Sequence, residues 1–173
     1  MVVYCSSRKY TDLVTNYLTR QFPGEVAKCH GYMEAEKRQK QEMKFLAGKK
    51  RIMIATTAFG MGVNVPDIRL VIHFNPPLSV IDYYQQIGRA GRDGETARAV
   101  LFDTPEDWDL NEAILNREEY SGELRQTLLE RMDELRCILS SDKCIMQQVL
   151  TALGEEKAKT CRHCTNCQRK RGW

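Results

Sequence analysis

A pair of arginines in the middle of the chain has the residue types and spacing of a phosphate-binding site. Arg89 and Arg92 lie three positions apart, and each follows a glycine in the stretch Gly88-Arg89-Ala90-Gly91-Arg92. Because glycine allows a tight backbone, both guanidinium groups can leave such a turn in one direction and meet one phosphate chain. The planar arginine fork stays charged and stabilises charge that develops on a transferred phosphoryl group. The alternative interpretation is an arginine pair on an exposed loop.

A cysteine cluster near the end of the sequence is the second candidate site. Cys161, Cys164 and Cys167 follow one another at intervals of three, so their thiols can converge on one ion, but tetrahedral zinc needs a fourth ligand. Four thiolates leave no open position for a reacting group, so one structural zinc per chain is expected. The candidates for the fourth ligand are Cys137, Cys144 and His163.

The predicted helices favour Cys144 as the fourth ligand. It opens a predicted helix, at about residues 143–153, that ends at Gly154, which suits a left-handed closing residue. A helical hairpin would then return the chain to Cys161, and Cys137 is assigned to helix packing. A redox dithiol is the competing interpretation of CxxC, but the third cysteine and the lack of a thioredoxin-like strand context count against it.

The elements that must position the arginines alternate between short β-branched runs and longer amphipathic stretches. This pattern indicates a parallel sheet covered by helices, with the loops that follow the strands gathered at one sheet edge, where sites of such folds lie. The first helix places Leu13, Tyr17 and Leu18 on one face. We predict strands at residues 2–5, 26–29, 51–55, 70–74 and 97–102, and helices at 9–21, 34–46 and from 80.

A domain boundary is predicted near residue 104. Thr104 has the features of a helix cap, Pro105 suits the first helical position, and acidic residues follow in the first turn. We therefore predict an α/β domain at residues 1–103 and a small helical zinc-binding module at residues 104–173. Apolar residues recur at helical spacing in this second part, at Leu124, Leu128, Met132, Leu135 and Leu139.

Three segments resemble the RecQ family of superfamily 2 helicases. The family carries YCxSR, ATxAFGMG and QxxGRAGRDG, and the chain matches them at residues 4–8, 55–62 and 85–94. The family's zinc module, a cysteine, a helix ending in Gly-Glu and then CxxCxxC, also falls in register with Gly154-Glu155. The resemblance implies an α/β, RecA-like parallel sheet with helices on both faces, followed by a zinc module. It further implies part of an ATP-dependent, 3′–5′ DNA helicase that acts in DNA repair or recombination.

The resemblance also implies roles for single residues. Arg89 and Arg92 would reach across a cleft to the ATP phosphates, with Arg92 as the preferred arginine finger, and Gln85 would couple the cleft to the motor. Phe59 is expected to pack in the core rather than to contact a base. The implied ATP-binding residues are Gly62, Asn64, Arg89 and Arg92, the implied nucleic-acid contacts are Ser7, Arg8, Thr56 and Gly60, and the implied metal ligands are Cys144, Cys161, Cys164 and Cys167.

One departure from the family lies after the second predicted strand. The family has His-Ala-Gly-Leu where this chain has His30-Gly31-Tyr32-Met33, so the glycine has moved by one place. The backbone contact to nucleic acid implied at this point is therefore not carried over, and His30 is as well explained as a structural hydrogen-bonding residue.

The charge distribution and the absence of one motif limit the functions expected of the isolated chain. Residues 1–103 carry 15 Lys and Arg against 10 Asp and Glu, which is compatible with single-stranded DNA or duplex junctions as partners, or with a solvated surface. No GxxxxGK[ST] loop is present, so we expect ATP and Mg²⁺ to bind only with a missing first lobe, and the chain alone to lack ATPase activity. A non-enzymatic zinc-containing DNA-binding or regulatory module is the alternative.

The expected location is the cytoplasm, associated with a bacterial nucleoid, or the nucleus of a eukaryote. The sequence begins without the charged and apolar regions of a signal peptide, and it has no apolar run of membrane-spanning length, so no membrane partner is expected. Seven cysteines in such a chain point to metal binding or packing rather than to disulfides.

Overall fold

The computed structural model describes residues 1–59, 65–117 and 120–171. Within them lies a five-stranded sheet whose order is β2-β3-β1-β4-β5, with every neighbouring pair parallel. The strands are β1 (Val2–Tyr4), β2 (Val26–Cys29), β3 (Ile52–Ala55), β4 (Leu70–His73) and β5 (Arg98–Leu101). The helices are α1 (Arg8–Gln21), α2 (Ala35–Leu46), α3 (Val80–Ile87), α4 (Pro105–Arg117), α5 (Gly122–Ser140), α6 (Ile145–Ala152) and α7 (Thr165–Arg169).

Helices cover both faces of the sheet, as predicted for a RecA-like lobe. Because side chains alternate along a strand, each strand contributes to two cores. On one face Phe45 of α2 packs with Met53 and Val71, and on the other Val14 of α1 packs with Val3 and Ile54. β1 and β3 are buried throughout, as their apolar composition indicates, whereas β2 and β4 alternate between buried and intermediate positions and β5 is largely exposed.

The buried face of α1 differs from the prediction. Leu13 and Tyr17 are 54% and 63% exposed, whereas Thr11 and Val14 are buried. Thr11 can be buried because its hydroxyl donates to the Ser7 carbonyl at 2.9 Å, which satisfies the polar group within the helix. Of the predicted face, Leu18 is partly buried and packs against the same core as Val14, whereas Leu13 and Tyr17 point to solvent.

The predicted start of α4 is confirmed in its details. The backbone N–H and the hydroxyl of Thr104 donate to Asp107 Oδ2 at 3.3 and 2.9 Å, and the helix begins at Pro105. Asp107 also accepts from Asn75 Nδ2 at 2.6 Å, and Asn75 Oδ1 accepts from the Ser6 backbone N–H at 3.2 Å. The segment after β1 is thus tied to the first turn of α4.

Helices α5 and α6 form the predicted hairpin, with one correction. The buried residues of α5 are Met132, Leu135 and Ile138, while Cys137 is exposed. Cys137 lies only two positions from Leu135, about 200° around the helix, so it faces away from the packed side. Its predicted role in helix packing is wrong. Gly154 closes α6 with a φ of +95°, as predicted.

The chain divides into two compact units. One comprises residues 1–76 and 85–109, and the other comprises residues 77–84 and 110–173. The predicted domains, 1–103 and 104–173, remain a prediction. Among the helices in the described ranges, none is both long and apolar enough to cross a membrane.

Candidate functional site

The loops that follow the first three strands of the chain meet at the carboxyl edge of the sheet. Ser7 and Arg8 follow β1, and Thr56 follows β3. The Thr56 backbone N–H donates to the carbonyl of Cys29, the last residue of β2, at 3.1 Å. The structure therefore brings three of the predicted nucleic-acid contacts to one edge.

The two hydroxyls at this edge are oriented by their own loops. Ser7 Oγ accepts from the Tyr10 backbone N–H at 3.3 Å and so caps α1. Thr56 Oγ1 accepts from the Ala58 backbone N–H at 3.4 Å. Because a hydroxyl also carries a hydrogen to donate, both groups remain able to donate to a phosphate oxygen.

His30 lies beside this edge as a buried residue. Its side chain is close to Asp12, with 4.0 Å between Nε2 and Oδ1, and Asp12 also accepts from Lys28 Nζ at 2.6 Å. Burial lowers the pKa of His30, and the positive charge of Lys28 acts in the same direction. The separation of 4.0 Å is too long for a hydrogen bond, so the role of His30 as a structural hydrogen-bonding residue stays a prediction.

The loop with the predicted arginines begins where α3 ends, and Gly91 sets its path. Gly91 has a φ of +63°, and its N–H donates to the Ile68 carbonyl at 2.9 Å. A Cβ at this position would lie 2.8 Å from the backbone oxygen of Glu95. Because both the conformation and the space exclude a side chain, only glycine fits without a shift of the backbone.

An ion pair holds the far side of the same loop. Both Arg69 Nη atoms donate to the Asp93 carboxylate, with 2.9 Å between Nη1 and Oδ1. Asp93 Oδ1 also accepts from the Glu95 backbone N–H at 3.1 Å, and the Arg69 guanidinium lowers the pKa of Asp93. The pair is exposed, and exposed ion pairs contribute little to stability, so its main consequence is the orientation of the loop.

The predicted arginines lie in a loop whose backbone is held beside the residues that precede β4. Arg92 is exposed and Arg89 is half-buried, and Arg92 Nε donates to the Gly88 carbonyl at 3.1 Å. Burial raises the pKa of Tyr4, the last residue of β1, to about 12, and the charges of Arg89 and Arg92 act against that shift. The charges of both arginines thus act on Tyr4, while the backbone of their loop is hydrogen-bonded to Pro66 and Ile68, which precede β4.

A buried glutamine next to the predicted one joins α3 to the sheet. Gln85 is exposed, whereas Gln86 is 8% exposed and its side chain lies close to His73 of β4. The His73 ring stacks on Tyr4 with 5.8 Å between centroids, and burial lowers the pKa of His73 to about 4. Gln86 was missed, although its position three residues after buried Tyr83 marks it as inward-facing.

The glycine-bearing turn after β3 is described only up to Phe59. Phe59 is 4% exposed and packs edge-on against Phe45, with 5.9 Å between ring centroids, so its predicted core role is confirmed. The predicted contacts Gly60, Gly62 and Asn64 lie outside the described residues.

Four cysteines of the second unit form a candidate metal centre. The Sγ atoms of Cys144, Cys161, Cys164 and Cys167 all lie within 4.8 Å of one another. Cys144 Sγ is 3.5 Å from Cys161 Sγ and 3.9 Å from Cys164 Sγ. With Zn–S bonds of about 2.3 Å, tetrahedral zinc would hold its sulfurs about 3.8 Å apart. The donor set therefore fits a zinc-sized ion, with Cys144 as the predicted fourth member.

Backbone N–H groups donate hydrogen bonds to the sulfur atoms of this cluster. Arg162 adopts a left-handed φ of 63°, and the N–H groups of His163 and Cys164 donate to Cys161 Sγ at 3.4 and 3.2 Å. Burial opposes ionisation of Cys164, but N–H groups of Cys167 and Ile145 hold the pKa of its thiol at about 6. The pKa of Cys144 is also lowered, whereas burial raises those of Cys161 and Cys167. The thiolate, which is the metal ligand, is therefore favoured at Cys144 and Cys164 only.

A buried asparagine that sequence reasoning missed connects the cysteine cluster to the helical hairpin. Asn166 Nδ2 donates to the carbonyls of Ser141 and Lys143 at 2.7 and 2.8 Å. The asparagine lies on α7, a helix of five residues that was not predicted. The sequence feature that could have indicated its role is its position between two predicted metal ligands, Cys164 and Cys167.

Comparison with known proteins identifies the first unit. A family model described as the helicase conserved C-terminal domain matches residues 1–94, which include β1 to β4 and both arginines. The RecQ ATP-dependent DNA helicase of Bacillus subtilis is 31% identical over 166 residues, which cover 96% of this chain and 28% of that protein. The chain belongs to the helicase conserved C-terminal domain family, on its RecQ branch.

Other similar proteins support the RecQ assignment and the fold. The bifunctional 3′-5′ exonuclease/ATP-dependent helicase WRN of Mus musculus is 34% identical over 180 residues, covering 96% of this chain and 12% of that protein. A DEAD box protein from Methanococcus jannaschii has a TM-score of 0.55 and 26% identity over 69% of this chain and 33% of its own. This RecQ-branch chain spans less than a third of these two RecQ-type relatives.

Proposed function

We propose that the chain supplies the second motor lobe and a zinc-stabilised helical module of an ATP-dependent DNA helicase that moves 3′ to 5′ along single-stranded DNA. The observation that carries the proposal is the ordered loop that presents Arg89 and Arg92, which is fixed by the Gly91 turn and by the Arg69–Asp93 pair and leaves neither arginine fully buried. Guanidinium groups on such a loop can face a nucleotide held by another lobe.

The proposed mechanism assigns the arginines a role in phosphoryl transfer. ATP and Mg²⁺ would bind in a cleft completed by a first RecA-like lobe with a phosphate-binding loop. Arg92 would stabilise the charge that develops on the γ-phosphoryl group, and Arg89 would hold the phosphate chain. Gln85 would couple the nucleotide to the motor, and hydrolysis would open and close the cleft to move the strand.

The DNA contacts in the proposal are made to the backbone rather than to the bases. Ser7 and Thr56 present hydroxyl donors at one sheet edge, and Arg8 adds a cation. Such groups bind phosphates without reading sequence. This chemistry suits single strands and duplex junctions, and hence DNA repair or recombination in a bacterial cytoplasm or a nucleus.

Zinc is the ion proposed for the cysteine cluster. Four thiolates at tetrahedral spacing prefer zinc to the hard cations, and they leave no open coordination position. The ion would therefore join α6 and α7 rather than take part in hydrolysis.

The test uses a two-lobe protein that combines this chain with its phosphate-binding lobe. Arg92→Ala should lower the DNA-stimulated kcat for ATP about 10³-fold or more, with a smaller change in KM. Arg92→Lys should restore little, because lysine lacks the planar fork. Arg98→Ala removes an exposed arginine at the amino-terminal end of β5 and should leave kcat unchanged. An Arg92→Ala protein with full ATPase activity would overturn the proposal.

A further inference from the structure

An exposed tyrosine and an arginine lie against each other at the carboxyl edge of the sheet. Tyr32 is 83% exposed, which is the largest exposed fraction among the large hydrophobic residues in the described part of the chain. The Cζ atom of Arg8 lies 5.0 Å from the centroid of its ring, and Arg8 is itself exposed. Tyr32 belongs to a turn in which the Met33 N–H donates to the His30 carbonyl at 3.0 Å.

The pair lies among the proposed strand contacts. Ser7 directly precedes Arg8, and Thr56 is hydrogen-bonded to Cys29, three residues before Tyr32. A strand whose phosphates meet these hydroxyls would pass close to the tyrosine ring. Tyr32 occupies the position at which the RecQ pattern has glycine, so the aromatic ring is a difference between this chain and that pattern.

Core packing does not explain the pair. The buried tyrosine at the end of β1, Tyr4, is 3% exposed, whereas the ring of Tyr32 is almost entirely in water. Arg8 contacts the ring by a cation–π interaction, which orders an aromatic group that would otherwise be free to rotate. Exposed aromatic rings beside guanidinium groups are the surfaces on which single-stranded nucleic acids stack their bases.

We propose that Tyr32 and Arg8 form a stacking platform for single-stranded DNA. One base stacks on the ring of Tyr32, and the guanidinium of Arg8 contacts an adjoining phosphate. The platform reads no base identity, because every base has a π face. The inference rests on the proposed function, since it requires the strand to cross this edge.

The experiment compares two probes on the full chain by fluorescence anisotropy. The probes are a labelled oligo(dT) and an abasic oligonucleotide of the same length. Tyr32→Ala should weaken oligo(dT) binding about 5-fold to 100-fold and leave abasic binding unchanged, because only the first probe carries bases to stack. Tyr32→Trp should retain the affinity. Arg8→Ala should weaken both probes and reduce the salt slope by about one.

Tyr17→Ala is the matched control. Tyr17 is 63% exposed on α1, and it lies nine residues beyond Arg8, about 13 Å along the helix. Its removal should leave both affinities unchanged. Since Tyr32 and Tyr17 are both exposed, thermal melts of both variants should match the wild type.

The outcomes separate the platform from the proposed function. If oligo(dT) binds to the wild type and to Tyr32→Ala with equal, salt-dependent affinity, the platform is overturned. The proposed function then stays in place. An equal loss on both probes in Tyr32→Ala also overturns stacking, since it assigns the residue to backbone contact or local structure. A wild-type chain that binds neither probe overturns both.

Discussion

At the scale of single residues, the arginine loop depends on glycine at one position more than at another. Gly91 and Gly94 both have left-handed φ angles, +63° and +86°. A Cβ at Gly94 would meet nothing within 4 Å, whereas at Gly91 it would lie 2.8 Å from a backbone oxygen. Alanine substitutions at the two positions therefore separate the free-energy cost of the left-handed conformation from that of steric overlap.

Gly91→Ala should lower the free energy of unfolding by about 2–5 kcal/mol, and Gly94→Ala by about 1–2 kcal/mol. The left-handed conformation costs an alanine about 1–2 kcal/mol at either position, and overlap with the backbone adds roughly 1–3 kcal/mol at Gly91. Urea denaturation of both variants measures the difference, provided the m-values agree. Equal losses would mean that the Gly91 turn relaxes and does not set the direction of the arginines.

At the scale of elements, the second unit has two short helices whose positions depend on the cysteine cluster. α6 has eight residues and α7 has five, lengths at which isolated helices are unstable. The sulfur cluster joins them, and Asn166 of α7 is hydrogen-bonded to Ser141 and Lys143, which precede α6. A metal ion at the cluster would therefore contribute directly to the folding of this unit.

Cys164→Ser should abolish metal binding and lower thermal stability, and Cys137→Ser should do neither. Wild-type protein is expected to contain about one zinc per chain, by elemental analysis. Loss of the site should cost more than about 3 kcal/mol, roughly 6–12 °C in Tm, and a chelator should reproduce this loss in the wild type. Exposed Cys137 controls for the removal of a thiol. A metal-free wild-type protein with an unchanged Tm would refute the site.

At the scale of the whole molecule, positive charge is concentrated in the sheet-forming part of the chain. Residues 1–103 have an excess of 5 positive charges, from 15 Lys and Arg against 10 Asp and Glu. Residues 157–173 add 6 Lys and Arg without an acidic residue. This distribution favours a polyanion as partner, with binding dominated by counterion release.

Binding of single-stranded DNA by the isolated chain should be weak and should fall steeply with salt. If about three to five cations meet phosphates, the plot of log K against log salt should have a slope of roughly −2 to −3.5. Titration of labelled oligo(dT) at several salt concentrations measures the slope. Affinity that stays the same from low to moderate salt would count against phosphate contacts by Arg8 and the other cations of this surface.

The sequence by itself determined the sheet, the arginine loop and the cysteine set. Strand positions agree with the predictions to within one residue at each end, because short β-branched runs between amphipathic helices admit few other arrangements. The arginines and cysteines were identifiable because their spacing is set by local chemistry: a glycine turn for Arg89 and Arg92, and three-residue intervals for the thiols.

Only the tertiary structure decided which side of an element is buried and which distant groups meet. α1 carries two adjacent apolar stripes, and the sheet buries the one with Thr11 and Val14, a choice that depends on the strands beneath it. Likewise, the packing of α3 on the sheet places Gln86 rather than Gln85 close to His73. The contact between Arg8 and Tyr32 joins loops 24 positions apart in sequence, and no local pattern encodes such a contact, because it exists only once β1 and β2 share a sheet.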